Sequence, residues 1–457
     1  MESSWCSFIP HNLLSELAND DELDENIRKC MNETITIGSS LYDKEKKPAI
    51  VDQGDYKLDR AERSEPLDAV ALPHQFELID GELYDNRGGL KALIYTAGGQ
   101  EVLPGHNALS GRGGQLDKTR GQNVQSIVRD IFSFFEFEFG HRLFEKEGHT
   151  IAITINYGHN YTNAHWTGKR VILGSGNPSL WDEFDMARDV IGHEVAHGVI
   201  LRTSGLNGSG EPGALSEHLA DVFGLLYKHN VESPYADAKD CVWTIGESLW
   251  SPPGGFFGFS SIDPDIIKSL WTGSGGKVVD NHTRQDPTVA RDVTSTKAMH
   301  FNKFPHYLRS FKDPSSINPR QPMNYNDYKN LPYDNGGVHH NSGIGNYAFY
   351  VAADEAREPP LDGVGKVWFR AMTDTGLGAN CKYPRFAAFT IAYAKRDFPY
   401  LVKPIETGWE EVEVQPDDVP GLEGMLSNPP SNQHEAREPV RVEESPDSFL
   451  VPIQFSP

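Results

Sequence analysis

A short histidine–glutamate motif constrains this chain more than any other feature. His193 and His197 stand four residues apart, and Glu194 directly follows the first histidine. On an α-helix, positions four apart lie one turn apart on the same face, so both imidazoles can reach one metal ion. Glu194 points about 100° away around the helix, which suits a general base that acts on a water at the metal. A surface helix can carry this motif without any function, so the motif alone does not decide the matter.

A second helix supplies the missing metal ligand. It follows a Gly/Ser-rich loop at 205–213 and is predicted over 214–224, where apolar residues form an inward stripe. Glu217 lies beside this stripe and can offer a carboxylate oxygen as the third ligand. Asp221, one turn later, can accept the ring N–H of a liganding histidine and fix its tautomer. Three protein ligands leave a fourth position open, which is typical of a catalytic Zn²⁺ site with one ion per chain.

Taken together, the motifs resemble the thermolysin family of zinc metalloendopeptidases over residues 92–414. Nineteen residues separate His197 from Glu217, and this spacing with Asp221 is the family's. The segment 161–166 resembles the family's substrate-pairing edge strand, and 334–343 resembles its second histidine motif. The resemblance implies an α+β fold of two lobes, with an N-terminal β-rich lobe that carries the zinc-binding helix and a C-terminal lobe that is mostly helical.

The resemblance also implies a role for each matched residue. His339 would stabilise the tetrahedral oxyanion, and Asp334 would orient it. Asn163 and Ala164 would pair with an extended substrate, and Arg309 would bind a substrate carbonyl. Four apolar side chains would line the primed-side pocket: Trp181, Val190, Ile245 and Leu308. Cleavage is therefore expected on the amino side of a hydrophobic residue. Taken singly, each of these residues also fits an ordinary structural role.

The chain departs from the family pattern at the oxyanion. Gly208 stands where the family has a tyrosine that shares the oxyanion with the histidine, so one hydrogen-bond donor is missing. Loss of such a donor costs a few kcal/mol of transition-state stabilisation, about 3 kcal/mol, and slows turnover. Two hypotheses follow. The first is a neutral zinc endopeptidase made as a zymogen, and the second is a catalytically weak zinc-peptide-binding homologue.

The family's double calcium site is expected to be absent. Asp189 and Glu247 are retained, but three positions that are acidic in the calcium-binding members hold Lys228, Val242 and Thr244. Two Ca²⁺ ions need many oxygen ligands and several negative charges. The Lys228 ammonium can instead pair with Asp189 or Glu247. In the alternative, the alignment slips in this stretch, and ligands are restored by Asp237 or Asp240.

Five segments are expected along the chain. Residues 1–60 are interpreted as a propeptide-like segment, because 8–18 reads as a turn and an amphipathic helix that resemble the short propeptide of the protealysin-like branch. An N-terminal docking helix that is never removed is the alternative. A linker at 61–91 precedes an N-terminal catalytic lobe at 92–205 and a C-terminal helical lobe at 206–414, which contains an insertion at 250–305. Residues 415–457 are predicted to form a disordered acidic tail.

Composition limits the partners. The chain has 457 residues, 38% of them hydrophobic, and 42 basic against 65 acidic residues give a net charge of −23. This charge argues against nucleic acid and anionic membranes, and we expect polypeptide substrates and a monomer. The four cysteines are scattered and are interpreted as reduced thiols. Because the N-terminus lacks a signal-peptide pattern, we expect synthesis in the cytoplasm, with leaderless secretion left open.

Overall fold

The computed structural model describes residues 6–21, 23–46, 76–79, 82–85, 90–111, 113–144, 151–177, 181, 184–249, 307–317 and 319–427. The predicted insertion at 250–305, most of the linker at 61–91 and the tail beyond 427 lie outside these residues. No helix in the described parts of the chain is both long and apolar enough to cross a membrane. Cys30, Cys241 and Cys381 form no disulfide.

Ten short strands are found in the described parts of the chain. They are β1 (Cys6–Ser7), β2 (Phe76–Ile79), β3 (Glu82–Asp85), β4 (Leu90–Thr96), β5 (His106–Asn107), β6 (Ile151–Tyr157), β7 (Ala164–Trp166), β8 (Arg170–Gly174), β9 (Thr244–Ile245) and β10 (Arg309–Ser310). All but the last two lie in the N-terminal half of the chain, as the expected β-rich lobe requires.

The described residues also form ten α-helices. They are α1 (His11–Ala18), α2 (Glu25–Lys46), α3 (Gln115–Phe139), α4 (Arg188–Arg202), α5 (Gly210–Glu232), α6 (Asp334–Ala356), α7 (Val364–Thr373), α8 (Tyr383–Asp397), α9 (Val402–Glu411) and α10 (Leu422–Met425). Helix α5 begins at Gly210, four residues earlier than predicted, so the end of the Gly/Ser-rich loop at 205–213 is part of the helix. The predicted α+β architecture, with a mostly helical second lobe, is confirmed.

One mixed sheet organises the N-terminal lobe. Its described strands follow the order β1-β7-β8-β6-β4-β3-β2, and β5 pairs with β4. Strands β4, β6 and β8 run parallel to each other, whereas the outer strands are antiparallel. The outermost strand on one side is β1, which belongs to the propeptide-like segment and pairs Cys6 with Trp166 and Ser7 with His165. The N-terminus therefore extends the catalytic sheet at β7.

Helices α4 and α5 form the centre of the molecule. Both are buried nearly all round, which is typical of helices inside a large core rather than on a surface. Where they cross, Gly192 faces Gly224, and a Cβ on Gly224 would lie 2.5 Å from the carbonyl oxygen of Asp189. The two backbones are thus in direct contact at this point. Any side chain at position 224 would push α5 away from α4.

The first residues of the predicted disordered tail are ordered. Residues 415–427, which were assigned to the disordered tail, are packed against the helical lobe. Leu422 and Leu426 are buried, and the backbone N–H of Ser427 donates to Asp374 at 2.9 Å. Two buried leucines and a hydrogen bond to a buried carboxylate order a segment whose overall composition is polar. The prediction of disorder for the rest of the tail concerns residues 428–457, which lie outside the described residues.

The contact between α6 and α9 gives a test of the helical lobe. A Cβ on Gly408 would lie 2.5 Å from the carbonyl oxygen of Ala348 and 3.0 Å from Cβ of Ala352. We expect Gly408→Ala to lower the free energy of unfolding by about 1–3 kcal/mol, because the helices must separate. Gly424→Ala is the matched control, since no atom lies within 4 Å of the added carbon. Denaturant unfolding of both variants checks this, and equal stabilities would contradict the close packing.

Candidate active site

Three side chains from α4 and α5 converge on one point. Nε2 of His193 lies 3.1 Å from Nε2 of His197, and each nitrogen lies 3.5 Å from one carboxylate oxygen of Glu217. All three side chains are buried, and together they form a group that could hold a metal ion. A tetrahedral Zn²⁺ with bonds of about 2.0–2.1 Å keeps its ligands about 3.3 Å apart. The observed separations fit that geometry.

Glu194 lies beside this group, directly after His193 on α4. The side chain is fully buried, and neither oxygen has a hydrogen-bond partner among the described residues. Burial raises the pKa of its carboxyl to about 8, although nearby His193 opposes this rise. A bound divalent cation would oppose it further, because positive charge favours the carboxylate form. A buried carboxyl group that lacks a partner is costly, so its position requires an explanation from function.

A buried carboxylate behind the ligands holds His193. Oδ1 of Asp221 lies 2.9 Å from Nδ1 of His193, on the side of the ring away from Glu217. Arg309 donates to the same carboxylate from Nε at 2.8 and 3.0 Å and from Nη2 at 2.8 Å. Although burial opposes the negative charge, Arg309 and His193 hold the pKa of Asp221 far below its usual range. Asp221 therefore stays ionised and fixes the ring of His193.

His339 and Asp334 reach the site from α6. His339 lies in the first regular turn after a kink, where Asn335, Gly336 and Gly337 have positive φ. The kink lets Asp334 turn back, so that its carboxylate lies 2.6 Å from Nδ1 of His339 and accepts from its backbone N–H at 2.9 Å. The other nitrogen, Nε2, lies 3.2 Å from Oε2 of Glu217. His339 is thus on a helix start rather than in a free loop.

The N-terminal segment occupies the cleft beside these groups. The backbone N–H of Phe8 donates to the carbonyl oxygen of Ala164 at 2.9 Å, and Nη1 of Arg309 donates to the carbonyl oxygen of Phe8 at 2.8 Å. The side-chain amide of Asn163 accepts from the N–H of Ile9 at 2.8 Å and donates to its carbonyl oxygen at 3.0 Å. All three residues expected to bind a substrate backbone are therefore engaged by Phe8 and Ile9.

The ring of Phe8 is fully buried next to the metal-ligand group. Its centroid lies 5.1 Å from that of His193 in an edge-on contact, and the Arg309 guanidinium lies 4.4 Å above its face. The four residues predicted to line the primed-side pocket are all buried and belong to the same hydrophobic cluster as Phe8: Trp181, Val190, Ile245 and Leu308. A large apolar side chain of the N-terminal segment thus lies between His193 and Arg309 in the cleft.

Other residues around the ligands were not identified from the sequence. The hydroxyl of Ser216 lies 3.4 Å from Nδ1 of His197, and Nδ2 of Asn346 donates to Asp221 at 3.0 Å. Asn346 follows His339 by two helical turns, so its position on the same helix face as His339 was a usable signal. Gly208 lies in the loop before α5, where it brings no side-chain donor to the site.

Lys228 lies beside Asp189 and Glu247, the two acidic residues expected to be retained from the family's calcium site. Its ammonium lies 3.1 Å from Oε2 of Glu247 and 3.8 Å from Oδ2 of Asp189. Although burial opposes its charge, Asp189 and Glu247 raise the pKa of Lys228 above its usual value. The Thr244 hydroxyl donates to Glu247, whereas Val242 is exposed. Asp240, one of the alternative calcium ligands, is exposed and lies 3.9 Å from Lys239.

Two family models match the chain and together span most of it. The model described as thermolysin metallopeptidase, catalytic domain, matches residues 38–201. The model described as thermolysin metallopeptidase, alpha-helical domain, matches residues 204–260 and 276–414. The gap in the second match falls inside the predicted insertion.

Individual metalloproteases are also similar to this chain. An extracellular metalloprotease of Pectobacterium carotovorum subsp. carotovorum is 29% identical over 338 residues, covering 72% of this chain and 82% of the relative. Protease PrtS of Photorhabdus sp. (strain Az29) is 28% identical over 329 residues, covering 71% and 77%. The fold is similar to the precursor of protealysin, a metalloproteinase from Serratia proteamaculans, with a TM-score of 0.61 and 23% identity over 90% of this chain and 99% of that one. The chain belongs to the thermolysin family and is a neutral metalloendopeptidase.

Proposed function

We propose that the chain is a zinc-dependent endopeptidase, made as a zymogen, that hydrolyses peptide bonds on the amino side of hydrophobic residues. The observation that carries this proposal is the position of Phe8 and Ile9. They engage Asn163, Ala164 and Arg309 through their backbone, and the ring of Phe8 lies directly beside that of His193. When bound at His193, His197 and Glu217, Zn²⁺ supplies Lewis-acid chemistry that polarises a carbonyl and acidifies water.

Glu194 acts as the general base in this proposal. Its carboxylate takes the proton of the attacking water and later passes that proton to the leaving amine. Because neither oxygen has a partner among the described residues, it can accept the proton without first breaking a hydrogen bond. The water-excluding surroundings also strengthen its interaction with the developing charge. A buried carboxylate that forms no hydrogen bond with the described residues supports this role over a structural one.

His339 stabilises the oxyanion in this proposal. Asp334 engages Nδ1, and Nε2 faces the metal-ligand group, 3.2 Å from Oε2 of Glu217, so it is placed to donate toward a carbonyl bound there. Arg309 holds the next carbonyl along the substrate, as it holds that of Phe8. Gly208 has no hydroxyl that could donate to the oxyanion. One such donor contributes about 3–4 kcal/mol of transition-state stabilisation. This missing donor is what favours the second candidate, a catalytically weak zinc-peptide-binding homologue.

The zymogen proposal rests on occupancy of the cleft. An external substrate needs the same backbone partners that Phe8 and Ile9 already engage, so both cannot bind at once. The segment is also secured behind the cleft, because Leu13, Leu14 and Leu17 of α1 and Met31 of α2 are buried. Activity therefore requires that this segment leave, either by cleavage or by dissociation.

Replacing Glu194 with Gln should leave zinc bound and remove hydrolysis, because the three ligands survive and the base does not. Once an added protease has removed the N-terminal segment from both chains, we expect at least a 100-fold lower rate on casein or a quenched peptide, with zinc content close to one ion per chain. Glu410→Gln is the control, since Glu410 is an exposed carboxylate that pairs with Lys403 on α9. Zinc by mass spectrometry and rates with and without chelator provide the readout.

The same assay separates the two candidates. A wild-type chain that binds zinc but shows no chelator-sensitive hydrolysis, even after removal of the N-terminal segment, would favour the weak binder. An E194Q variant that keeps more than about a hundredth of the wild-type rate would exclude the base role.

Shortening Phe8 to Ala should activate the uncut chain. Full burial of a Phe side chain is worth about 2–3 kcal/mol, so its loss should free the cleft and raise activity at least about tenfold. Phe137→Ala is the matched control, because that ring on α3 is 43% exposed. The chain is verified as intact by mass spectrometry before and after the assay. Equal activities of intact wild-type and F8A chains would contradict inhibition by this segment.

We further propose that Lys228 replaces the family's calcium pair. Asp189 is already saturated, because it accepts from the backbone N–H groups of Val190 and Gly246 and from the Ser248 hydroxyl at 2.9–3.2 Å. Glu247 accepts from Lys228. The buried ammonium thus supplies the positive charge that these two carboxylates require. The slipped alignment, with Asp237 or Asp240 as ligands, is the alternative that a calcium titration tests.

Replacing Lys228 with Met should strongly destabilise the chain, because two neighbouring carboxylates lose their counterion. Removing one partner of a buried ion pair costs about 3–5 kcal/mol, and we expect the lower end of this range because the Glu247 side chain is 33% exposed. Lys239→Met is the control, since the Lys239–Asp240 pair is 71% and 63% exposed and such a surface pair contributes within about 1 kcal/mol. Urea unfolding of the two variants should give clearly different losses. Similar losses would remove the argument for a structural cation at this position.

Calcium itself should not stabilise the wild-type chain. We expect the thermal midpoint to be unchanged by added calcium or by a calcium-selective chelator, and to fall with a zinc chelator. Stabilisation by calcium that saturates at two ions per chain would refute the loss of the double site.

A further inference from the structure

A line of buried polar side chains continues from the site into the helical lobe. Nδ2 of Asn346 donates to Oδ2 of Asp221 at 3.0 Å. Oδ1 of Asn346 lies 2.9 Å from Nδ1 of His218, and Nε2 of His218 accepts from the indole N–H of Trp368 at 2.9 Å. All four side chains are completely buried. None of His218, Asn346 and Trp368 touches the metal-ligand group through its own polar atoms, so the proposed chemistry leaves them unexplained.

The direction of every hydrogen bond in this line follows from Trp368. An indole N–H can only donate, so Nε2 of His218 must be the acceptor and its proton must be on Nδ1. Nδ1–H in turn donates to an oxygen, which identifies the atom of Asn346 facing His218 as the carbonyl Oδ1. The amide group is then directed with Nδ2 toward Asp221. One donor-only group thus sets a tautomer and an amide orientation.

The recipient of this line is the carboxylate that holds a metal ligand. Oδ2 of Asp221 receives Asn346 and Nε of Arg309, while Oδ1 receives Nη2 of Arg309 and faces His193 at 2.9 Å. A carboxylate with partners on both oxygens cannot rotate without losing one of them. The angle at which Asp221 meets His193 is therefore fixed from the side of the helical lobe.

The backbone of α6 packs closely against the imidazole of His218. A Cβ on Gly345 would lie 2.5 Å from Cγ of His218, so a residue other than glycine at 345 would displace the imidazole. Gly345 directly precedes Asn346 on α6, and His218 directly follows Glu217 on α5. Trp368 comes from α7 and stacks on Trp409 of α9, with ring centroids 5.6 Å apart and planes at 7°. Four helices thus hold the line in position.

We propose that His218 is a positioning residue for the metal site, which acts through Asn346 and Asp221 on His193. It rests on the proposed function in one respect, since it takes the ion held by His193, His197 and Glu217 to be zinc. His218 in its Nδ1–H form keeps the Asn346 amide directed at Asp221, and Asp221 keeps the ring of His193 aimed at the ion. Loss of these hydrogen bonds therefore weakens zinc binding, in addition to any loss of stability of the fold.

The test compares zinc affinity among full-length variants by competition with a chromophoric chelator. His218→Leu removes both hydrogen bonds at similar volume, and we expect about tenfold weaker zinc binding, the lower end of the range for groups that support metal ligands. His218→Asn keeps an amide donor near the position of Nδ1. It should retain most of the wild-type zinc affinity, although it cannot reach Trp368 and should cost stability.

His229 supplies the matched control. It lies on the same helix, is buried, and pairs through Nε2 with the carbonyl oxygen of Val242 at 2.7 Å, away from Asp221. His229→Leu should lower the thermal midpoint about as much as His218→Leu and leave zinc affinity within about twofold of wild type. If the two Leu variants bind zinc equally well, His218 has a purely structural role and the proposal is wrong.

A spectroscopic measurement covers the case in which His218→Leu does not fold. Long-range ¹H–¹⁵N correlation spectra of the metal-free chain should assign His218 the Nδ1–H tautomer, and an Nε2–H tautomer would overturn the proposal. Trp368→Phe, which removes only the indole donor, should weaken zinc binding measurably; unchanged affinity would also contradict the proposal. A wild-type chain that binds no zinc would instead contradict the proposed function itself.

Discussion

The contact between α4 and α5 is the constraint on which the metal-ligand group depends. Gly192 and Gly224 let the two backbones touch, and a Cβ on Gly224 would meet the Asp189 carbonyl at 2.5 Å. Only at this separation can two imidazoles of one helix and a carboxylate of the next lie 3.1–3.5 Å apart. The spacing of ligands along each helix is local, but their distance across the helices is set by these two missing side chains.

Buried charge organises the layer around that contact. Asp221, Arg309 and His193 satisfy one another in the interior, where an unpaired charge is very costly. Arg309 has a further partner in the carbonyl oxygen of Phe8, so the N-terminal segment becomes part of the same arrangement. In the proposed function, removal of that segment would make Nη1 of Arg309 available to a substrate carbonyl and leave its pairing with Asp221 intact. Lys228 is likewise the positive partner of two neighbouring carboxylates, those of Asp189 and Glu247.

Local pattern was sufficient to locate most of the fold and the site. The helical spacing of His193 and His197, the later Glu217 and the resemblance of 334–343 to a histidine motif all follow from short stretches of chain, since ligand spacing on a helix is set by its 3.6-residue period. The α+β architecture with a helical second lobe was predicted from the resemblance to the thermolysin family and is confirmed. Local pattern was weaker at boundaries: α5 begins at Gly210, and residues 415–427 pack because Leu422 and Leu426 find a surface that composition cannot reveal.

By itself, then, the sequence determined which side chains could bind a metal, which carboxylate could serve as a base, and that the N-terminus carries a propeptide-like helix. Tertiary structure alone decided that Phe8 and Ile9 engage Asn163, Ala164 and Arg309, and that His218 bonds Asn346 and Trp368. These last pairs are separated by 128 and 150 positions along the chain. No periodicity links residues so far apart, because their proximity arises only when α5, α6 and α7 pack together and exclude water from the groups between them.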